Sequence, residues 1–170
     1  WQARTSLMLM MTYPGKKMLF MGTEYAQFRE WDYDNSLEWF MLDYPNHKQF
    51  REYVAALNSF YLGHSELWDI DFDEEGFRWL LADEADKNVV AYQRLNKKGK
   101  YLTVLLNFSG GEQRVTIPVD KALRLESVFD TGNLSEQQKN VTVYKNDGKY
   151  YADITLSPFS GVIYNRITKN

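Results

Sequence analysis

The sequence predicts an α+β fold in which a helical segment with one buried strand precedes an all-β antiparallel sandwich. Up to Leu67, the chain shows the pattern helix, short apolar strand, long loop and amphipathic helix, which is typical of α/β folds. Beyond Leu67, short β-type runs follow one another between turn clusters, as in sandwiches and barrels. We therefore predict two domains, at residues 1–67 and 68–170.

The first domain begins with a predicted helix at residues 2–12, because Ala, Leu and Met favour helices, and Pro14-Gly15 ends it. Residues 17–21, KMLFM, form a short apolar run bounded by glycines, which predicts a buried strand of a parallel sheet. Residues 23–44 show no period and are rich in Trp, Tyr, Asp and Glu. A loop this long in a compact domain is usually functional.

A second helix is predicted at residues 46–62, with Asn46 as its N-cap and Gly63 just beyond its end. Its apolar residues recur at helical spacing along one stripe: Phe50, Val54, Leu57 and Tyr61. This stripe predicts one buried helix face.

Eight strands are predicted in the second domain, at residues 77–82, 89–95, 101–108, 113–119, 123–129, 141–144, 150–156 and 161–167. Asn146-Asp147-Gly148 is a strong hairpin signal between the sixth and seventh runs. The seventh run alternates polar and apolar residues, which predicts one wet face that includes Tyr151. We expect Trp79, in the first run, to pack in the core.

Composition argues against several classes of protein. The net charge of −3 gives no electrostatic reason to expect nucleic acid, and no apolar run is long enough to span a membrane. The chain has no cysteine, so disulfides and thiolate metal sites are excluded. We expect no metal and no cofactor. The first residues resemble the middle of a helix and lack an initiator Met, so we expect that the chain was cut from a longer protein.

The segment PGKKMLFMGTEYAQFREW, residues 14–31, resembles a signature of bacterial glycogen branching enzymes in the α-amylase superfamily, and DYDNSLEW, residues 32–39, continues the pattern. The similarity extends through DFDEEGFRWL, residues 71–80, to LSPFSGVIYNR, residues 156–166. It implies that the first domain is the end of a (β/α)8 barrel and that the sandwich is of the amylase C-terminal type. It also implies a bacterial cytoplasmic location and a role in glycogen biosynthesis.

The resemblance implies an enzyme that transfers a segment of α-1,4-glucan to a 6-hydroxyl, forming an α-1,6 branch. Such retaining chemistry needs two carboxyl groups on opposite sides of the scissile bond. None of the motifs that contain them in the family occurs in this chain. We therefore assign no catalytic residue, and we expect the chain alone to be inactive while it supports the barrel and helps to bind α-glucan.

The loop at residues 23–44 would leave the C-terminal end of a barrel strand, where the active sites of such barrels lie. The candidates for the rim of a glucan cleft are Glu24, Arg29, Glu30, Trp31, Asp32 and Asp34. For Glu24, Arg29 and Glu30, ion pairs that brace the loop remain an alternative interpretation. For Trp31, a role at the rim and a purely structural role are equally open. Tyr151 is a candidate glucan contact on the sandwich surface.

Two other functions remain open: a stand-alone carbohydrate-binding β-sandwich, and a fragment of another α-amylase superfamily hydrolase. The partner expected is α-glucan, with no nucleic acid and no membrane. We also expect self-association, because residues 17–21 would present an unpaired edge and residues 7–11 an apolar surface.

Overall fold

The computed structural model describes residues 1–168. Its helices are α1 (Gln2–Thr12), α2 (Pro45–Gly63) and the short α3 (Glu136–Lys139). The strands are β1 (Phe77–Leu81), β2 (Val89–Leu95), β3 (Tyr101–Asn107), β4 (Gln113–Val119), β5 (Arg124–Asp130), β6 (Asn140–Asn146), β7 (Lys149–Leu156) and β8 (Ser160–Ile167). All eight predicted strands are confirmed, with bounds shifted by at most a few residues.

The strands form one antiparallel sheet that folds over on itself, in the order β1-β2-β3-β8-β5-β6-β7-β4. We call β1, β2, β3, β8 and β5 the main sheet, and β6, β7 and β4 the outer sheet. The largest core lies between the two, where Ala91 and Leu105 of the main sheet share a cluster with Ile154 of the outer sheet. The predicted antiparallel sandwich is therefore confirmed.

The opposite face of the main sheet is covered by the helical segment. Met8 of α1 and Phe60 of α2 pack with Tyr92, Val104 and Ile163. Because both faces of the main sheet are covered, every residue of the central strand β3 is buried, and its run of apolar residues is typical of such strands. The protein thus has three layers: helices, main sheet and outer sheet.

The hairpin between β6 and β7 turns at Asp147 and Gly148, with Asn146 paired to Lys149. Both turn residues have positive φ, 46° and 81°, as a type I′ turn requires. The predicted hairpin is confirmed. The alternation along β7 is confirmed as well, because Ala152 and Ile154 are buried while Asp153 is exposed.

The predicted buried strand at residues 17–21 is wrong for this chain. The segment is not part of a strand, and the side chains of Met18 and Phe20 are 73% and 51% exposed. A parallel strand needs a hydrogen-bonded neighbour, and residues 1–168 provide none for this segment.

The expected apolar surface at residues 7–11 is also absent. Leu7, Met8 and Met11 are buried, because α1 lies between the main sheet and α2. By contrast, Trp79 is 44% exposed rather than buried in the core as predicted. It lies on β1, which ends the main sheet and leaves one side of the indole uncovered.

Helix α2 confirms the second predicted helix but corrects its ends and its buried face. Pro45 is its first residue and Tyr44 its N-cap, so Asn46 does not cap it; proline is well suited to a first helical position. Of the predicted stripe, Val54 and Leu57 are fully buried. Tyr53 and Phe60 complete the buried face in place of Phe50 and Tyr61, which are half-buried. The face is rotated because α2 packs on α1 and Phe129 of the main sheet together.

Candidate functional site

The loop between α1 and α2 is folded rather than irregular. It contains two 3₁₀ turns, Thr23–Tyr25 and Trp39–Asp43. Its first bend needs unusual backbone at Gly22 and Ala26, with φ of 87° and 56°. A Cβ on Gly22 would lie 2.8 Å from the Cβ of Gln27, so this position suits only glycine.

Gln27 holds the two halves of the loop together. Its Oε1 accepts hydrogen bonds from the Tyr25 hydroxyl at 2.5 Å and from the Glu38 backbone N–H at 2.9 Å. The His47 ring Nδ1 lies 2.8 Å from the Tyr25 carbonyl oxygen and ties the loop to α2. Sequence reasoning missed Gln27, because nothing in its neighbourhood distinguishes it from any other polar loop residue.

The candidate charges Glu24, Arg29 and Glu30 do not pair with one another. Arg29 instead makes an ion pair with Glu38, with 3.8 Å between Nε and Oε1, and its backbone N–H donates to the same carboxylate at 3.3 Å. Arg29 thus forms an ion pair within the loop, as the bracing interpretation expects, with a partner that the sequence did not single out. Among residues 1–168, Glu24 and Glu30 have no ion-pair partner.

Asp32 organises the next turn of the loop. It accepts a hydrogen bond from the Asn35 side-chain amide at 2.7 Å and from the Asp34 backbone N–H at 3.0 Å. These bonds, led by that from Asn35, lower the pKa of the Asp32 carboxyl. Asp32 is therefore a stable acceptor rather than a proton donor at neutral pH. Asp34 contributes its backbone here, and its side chain is exposed.

Three aromatic rings form an open row on this loop. Trp31 lies between Phe20, with ring centroids 5.9 Å apart, and Tyr33, 6.1 Å away. Trp31 is 57% exposed and Tyr33 79% exposed. Rings in this arrangement offer apolar faces to solvent, which suits stacking on another flat apolar surface. Of the three, the sequence pattern singles out only Trp31.

Tyr151 lies far from this loop in the fold. It is on β7, on the outward face of the outer sheet, and it pairs across strands with Tyr144. The loop instead contacts α2 on the far side of the main sheet. The structure therefore brings Trp31, Asp32 and Asp34 into one region and leaves Tyr151 on a separate surface.

Residues 1–168 contain neither a cluster of metal-binding side chains nor a helix that could span a bilayer. No group of three or more His, Cys, Asp or Glu side chains could hold a metal ion in this part of the chain. None of its helices is long and apolar enough to cross a bilayer.

A family described as "Alpha amylase, C-terminal all-beta domain" matches residues 79–166. The 1,4-alpha-glucan branching enzyme GlgB of Halothermothrix orenii is 32% identical over 98% of this chain and 28% of its own length. GlgB of Lactobacillus acidophilus is 34% identical over 95% of this chain and 27% of its own length. The chain thus spans about a quarter of the length of these curated relatives.

Solved structures share the fold at low identity. AmyP in complex with maltotriose has a TM-score of 0.68 and 14% identity, over 99% of this chain and 35% of AmyP. A cyclomaltodextrinase has a TM-score of 0.66 and 16% identity, over 96% of this chain and 26% of its own. The likeness therefore includes the helices and the loop as well as the sandwich.

Proposed function

The chain belongs to the alpha-amylase C-terminal all-β domain family, and from this premise we propose that it is part of a 1,4-α-glucan branching enzyme. One observation supports this proposal most strongly: the similarity to GlgB extends over 98% of the chain. It therefore includes the helices and the aromatic loop, which lie outside residues 79–166. The complete enzyme would transfer a segment of α-1,4-glucan to a 6-hydroxyl in glycogen biosynthesis, in the bacterial cytoplasm.

Residues 1–67 are, in this proposal, the end of a (β/α)8 barrel, and residues 68–170 are the sandwich that follows it. The exposed apolar side chains support this division. Met18, Phe20, Phe28 and Trp31 are all more than half exposed, although they lie within a short stretch. A face of this kind on a folded chain usually contacts another part of a protein. The segment at 17–21 would become a strand once the neighbouring barrel strands pair with it.

The aromatic row would form the rim of the glucan cleft. Glucose rings present apolar C–H faces, which stack well on Trp31, Phe20 and Tyr33. The carboxylates of the half-buried Glu24 and the exposed Glu30 could accept hydrogen bonds from sugar hydroxyls. Arg29, in this proposal, positions the loop through Glu38 and does not contact sugar.

The proposal is tested by expressing the longer polypeptide that contains this chain and incubating it with amylose. We expect new α-1,6 linkages, counted by NMR of the anomeric protons, without a rise in reducing ends. The 170-residue chain is the matched control and should form none, because it contains no catalytic carboxylate pair. A rise in reducing ends without branches would instead favour a hydrolase of the same superfamily. An inactive longer polypeptide would favour the stand-alone binding module.

Replacing Trp31 with Ala in the longer polypeptide tests the role of the loop. Because Trp31 is exposed, this change should leave the fold intact. It should raise KM for amylose by roughly tenfold, since losing one stacked ring removes about 1–1.5 kcal/mol of binding. An unchanged KM would exclude the rim role of Trp31.

A further inference from the structure

The outward face of the outer sheet contains a strip of aromatic and polar side chains on rigid backbone. Tyr144 of β6 is paired directly with Tyr151 of β7, and Pro118 of β4 lies on the other side of Tyr151. The two tyrosine rings are 6.1 Å apart and inclined by only 33°, and Tyr144 is 40% exposed. Their neighbour Ala152 points into the core. The rings therefore form a nearly continuous apolar platform that the sheet holds in place.

Asp153 provides an oriented hydrogen-bond acceptor beside this platform. Its Oδ1 accepts from the Thr116 hydroxyl at 2.7 Å and from the Tyr144 hydroxyl at 3.0 Å. Both bonds go to the same oxygen, so they fix the carboxylate. Within residues 1–168 its Oδ2 receives no hydrogen bond. The free oxygen is available to a ligand hydroxyl next to the tyrosine rings.

An open groove of about 610 Å³ continues from Asp153 along the sheet towards α3. Amides and hydroxyls make up most of its lining, among them Asn133, Gln137, Asn140, Thr142 and Thr155. Its arginine, Arg114, lies beside Glu112 with 3.6 Å between the charged atoms. The charged groups of the lining are this pair and Asp153, and the many neutral polar groups around them suit a neutral polyhydroxylated ligand better than an ion.

The wall of this groove is well ordered by its own hydrogen bonds. Ser135 and Gln138 form a capping box at the start of α3. The Gln138 side-chain Oε1 also accepts a hydrogen bond from the Ser157 hydroxyl at 3.2 Å, and the Gln138 backbone carbonyl accepts one from the buried Tyr164 hydroxyl. A groove held in this way needs little reorganisation to bind a ligand, which lowers the cost of binding.

From this geometry we infer that the outward face of the outer sheet is a second α-glucan-binding surface, separate from the aromatic loop. Glucose rings would stack on Tyr144 and Tyr151, and the chain would continue past Asp153 into the groove. The ligand class rests on the proposed function. The surface lies across the sandwich from the loop, so one long glucan chain would be held at two places on the protein.

The inference is tested on the 170-residue chain with maltoheptaose, by NMR titration and by electrophoresis in gels that contain glycogen. We expect the largest amide shifts in β6 and β7, at Asp153 and along the groove. Combined Tyr144→Ala and Tyr151→Ala should weaken binding by roughly tenfold or more, because two stacked rings are lost. Tyr144→Phe keeps the ring and removes only the hydroxyl that donates to Asp153, so it should bind several-fold more tightly than the double variant, and it controls for misfolding of that variant.

Tyr33→Ala is the matched control, because it removes an exposed tyrosine of the loop and leaves the outer sheet intact. It should not change the shifts in β6 and β7. Shifts confined to the loop would overturn the inference and leave the proposed function standing. Absence of any binding would also overturn it, whereas the proposed function is decided separately by branch formation in the longer polypeptide.

Discussion

Replacing Arg94 with Met should strongly destabilise the protein, because this side chain joins the helical segment to the sandwich. Arg94 lies on β2 and is fully buried. It makes an ion pair with Asp71 at 2.7 Å and donates to the Thr12 carbonyl at 2.5 Å and the Leu67 carbonyl at 3.0 Å. The Asp71 carboxylate in turn accepts from the Gly15 backbone N–H at 2.9 Å. One guanidinium thus fixes the end of α1 and the segment after α2.

The expected loss of stability comes from the groups that Arg94→Met leaves without a partner. Removing one partner of a buried ion pair costs about 3–5 kcal/mol, because the other charge stays buried without compensation. Three backbone carbonyls, those of Thr12, Leu67 and Gly76, would also lose their donor, although their costs overlap with that of Asp71. For a protein of this size the loss corresponds to a fall in Tm of roughly 6–20 °C. Asp71→Asn should lie at the low end of that range, about 3 kcal/mol, because the buried Arg94 charge keeps its carbonyl partners.

Urea unfolding followed by circular dichroism and tryptophan fluorescence measures this change. Arg78→Met is the matched control, because Arg78 lies on the neighbouring strand β1 but is exposed. It should change the free energy of unfolding by less than about 0.5 kcal/mol. If Arg94→Met and Arg78→Met lost similar stability, Arg94 would not be the junction that its contacts indicate.

Three further predictions concern other parts of the molecule. Gly76→Ala should destabilise the protein by about 2–4 kcal/mol, because the new Cβ would lie 2.0 Å from the Ile70 carbonyl oxygen. Gly63→Ala is the control, because a Cβ there meets nothing within 4 Å, and it should be neutral or slightly stabilising. Calorimetry measures both changes. Burial lowers the pKa of Lys17 from 10.5 to about 8. Between these two pKa values the unfolded chain therefore binds more protons than the folded one, and the free energy of unfolding should rise with pH. The rise should be only about 1 kcal/mol, because Lys17 is half exposed. Urea titrations at several pH values measure the rise, and Lys17→Met should abolish it. The exposed apolar residues between 17 and 44 should cause self-association, which light scattering would detect as a mass that grows with concentration; a constant monomer mass would contradict it.

The strands could be predicted from the sequence because their signals are local. Alternation along 150–156 and the Asn146-Asp147-Gly148 turn specify a hairpin without knowledge of anything distant. The loop was likewise recognisable from its length and its rings. These features are determined by residues that lie close together in the sequence, so a local sequence pattern is enough to predict them.

The features that could not be predicted depend on distant partners. Arg94 occupies a strand position that looks like any polar residue, and its burial follows from carbonyls at Thr12 and Leu67 that only the fold brings near. The Arg29 partner Glu38 likewise follows from the shape of the loop. The strand wrongly predicted at 17–21 also shows this dependence on distant partners. Its apolar pattern is typical of a strand, but residues 1–168 contain no strand that pairs with it.

We propose that residues 17–44 form a surface that the rest of a barrel covers in a longer enzyme. Amide hydrogen exchange of this segment, measured in the 170-residue chain and in the longer polypeptide, is the decisive experiment. We predict that residues 17–21 exchange quickly in the short chain and become protected by at least about a hundredfold in the longer one, since strand hydrogen bonds would then form. Equal exchange rates in both proteins would contradict the claim.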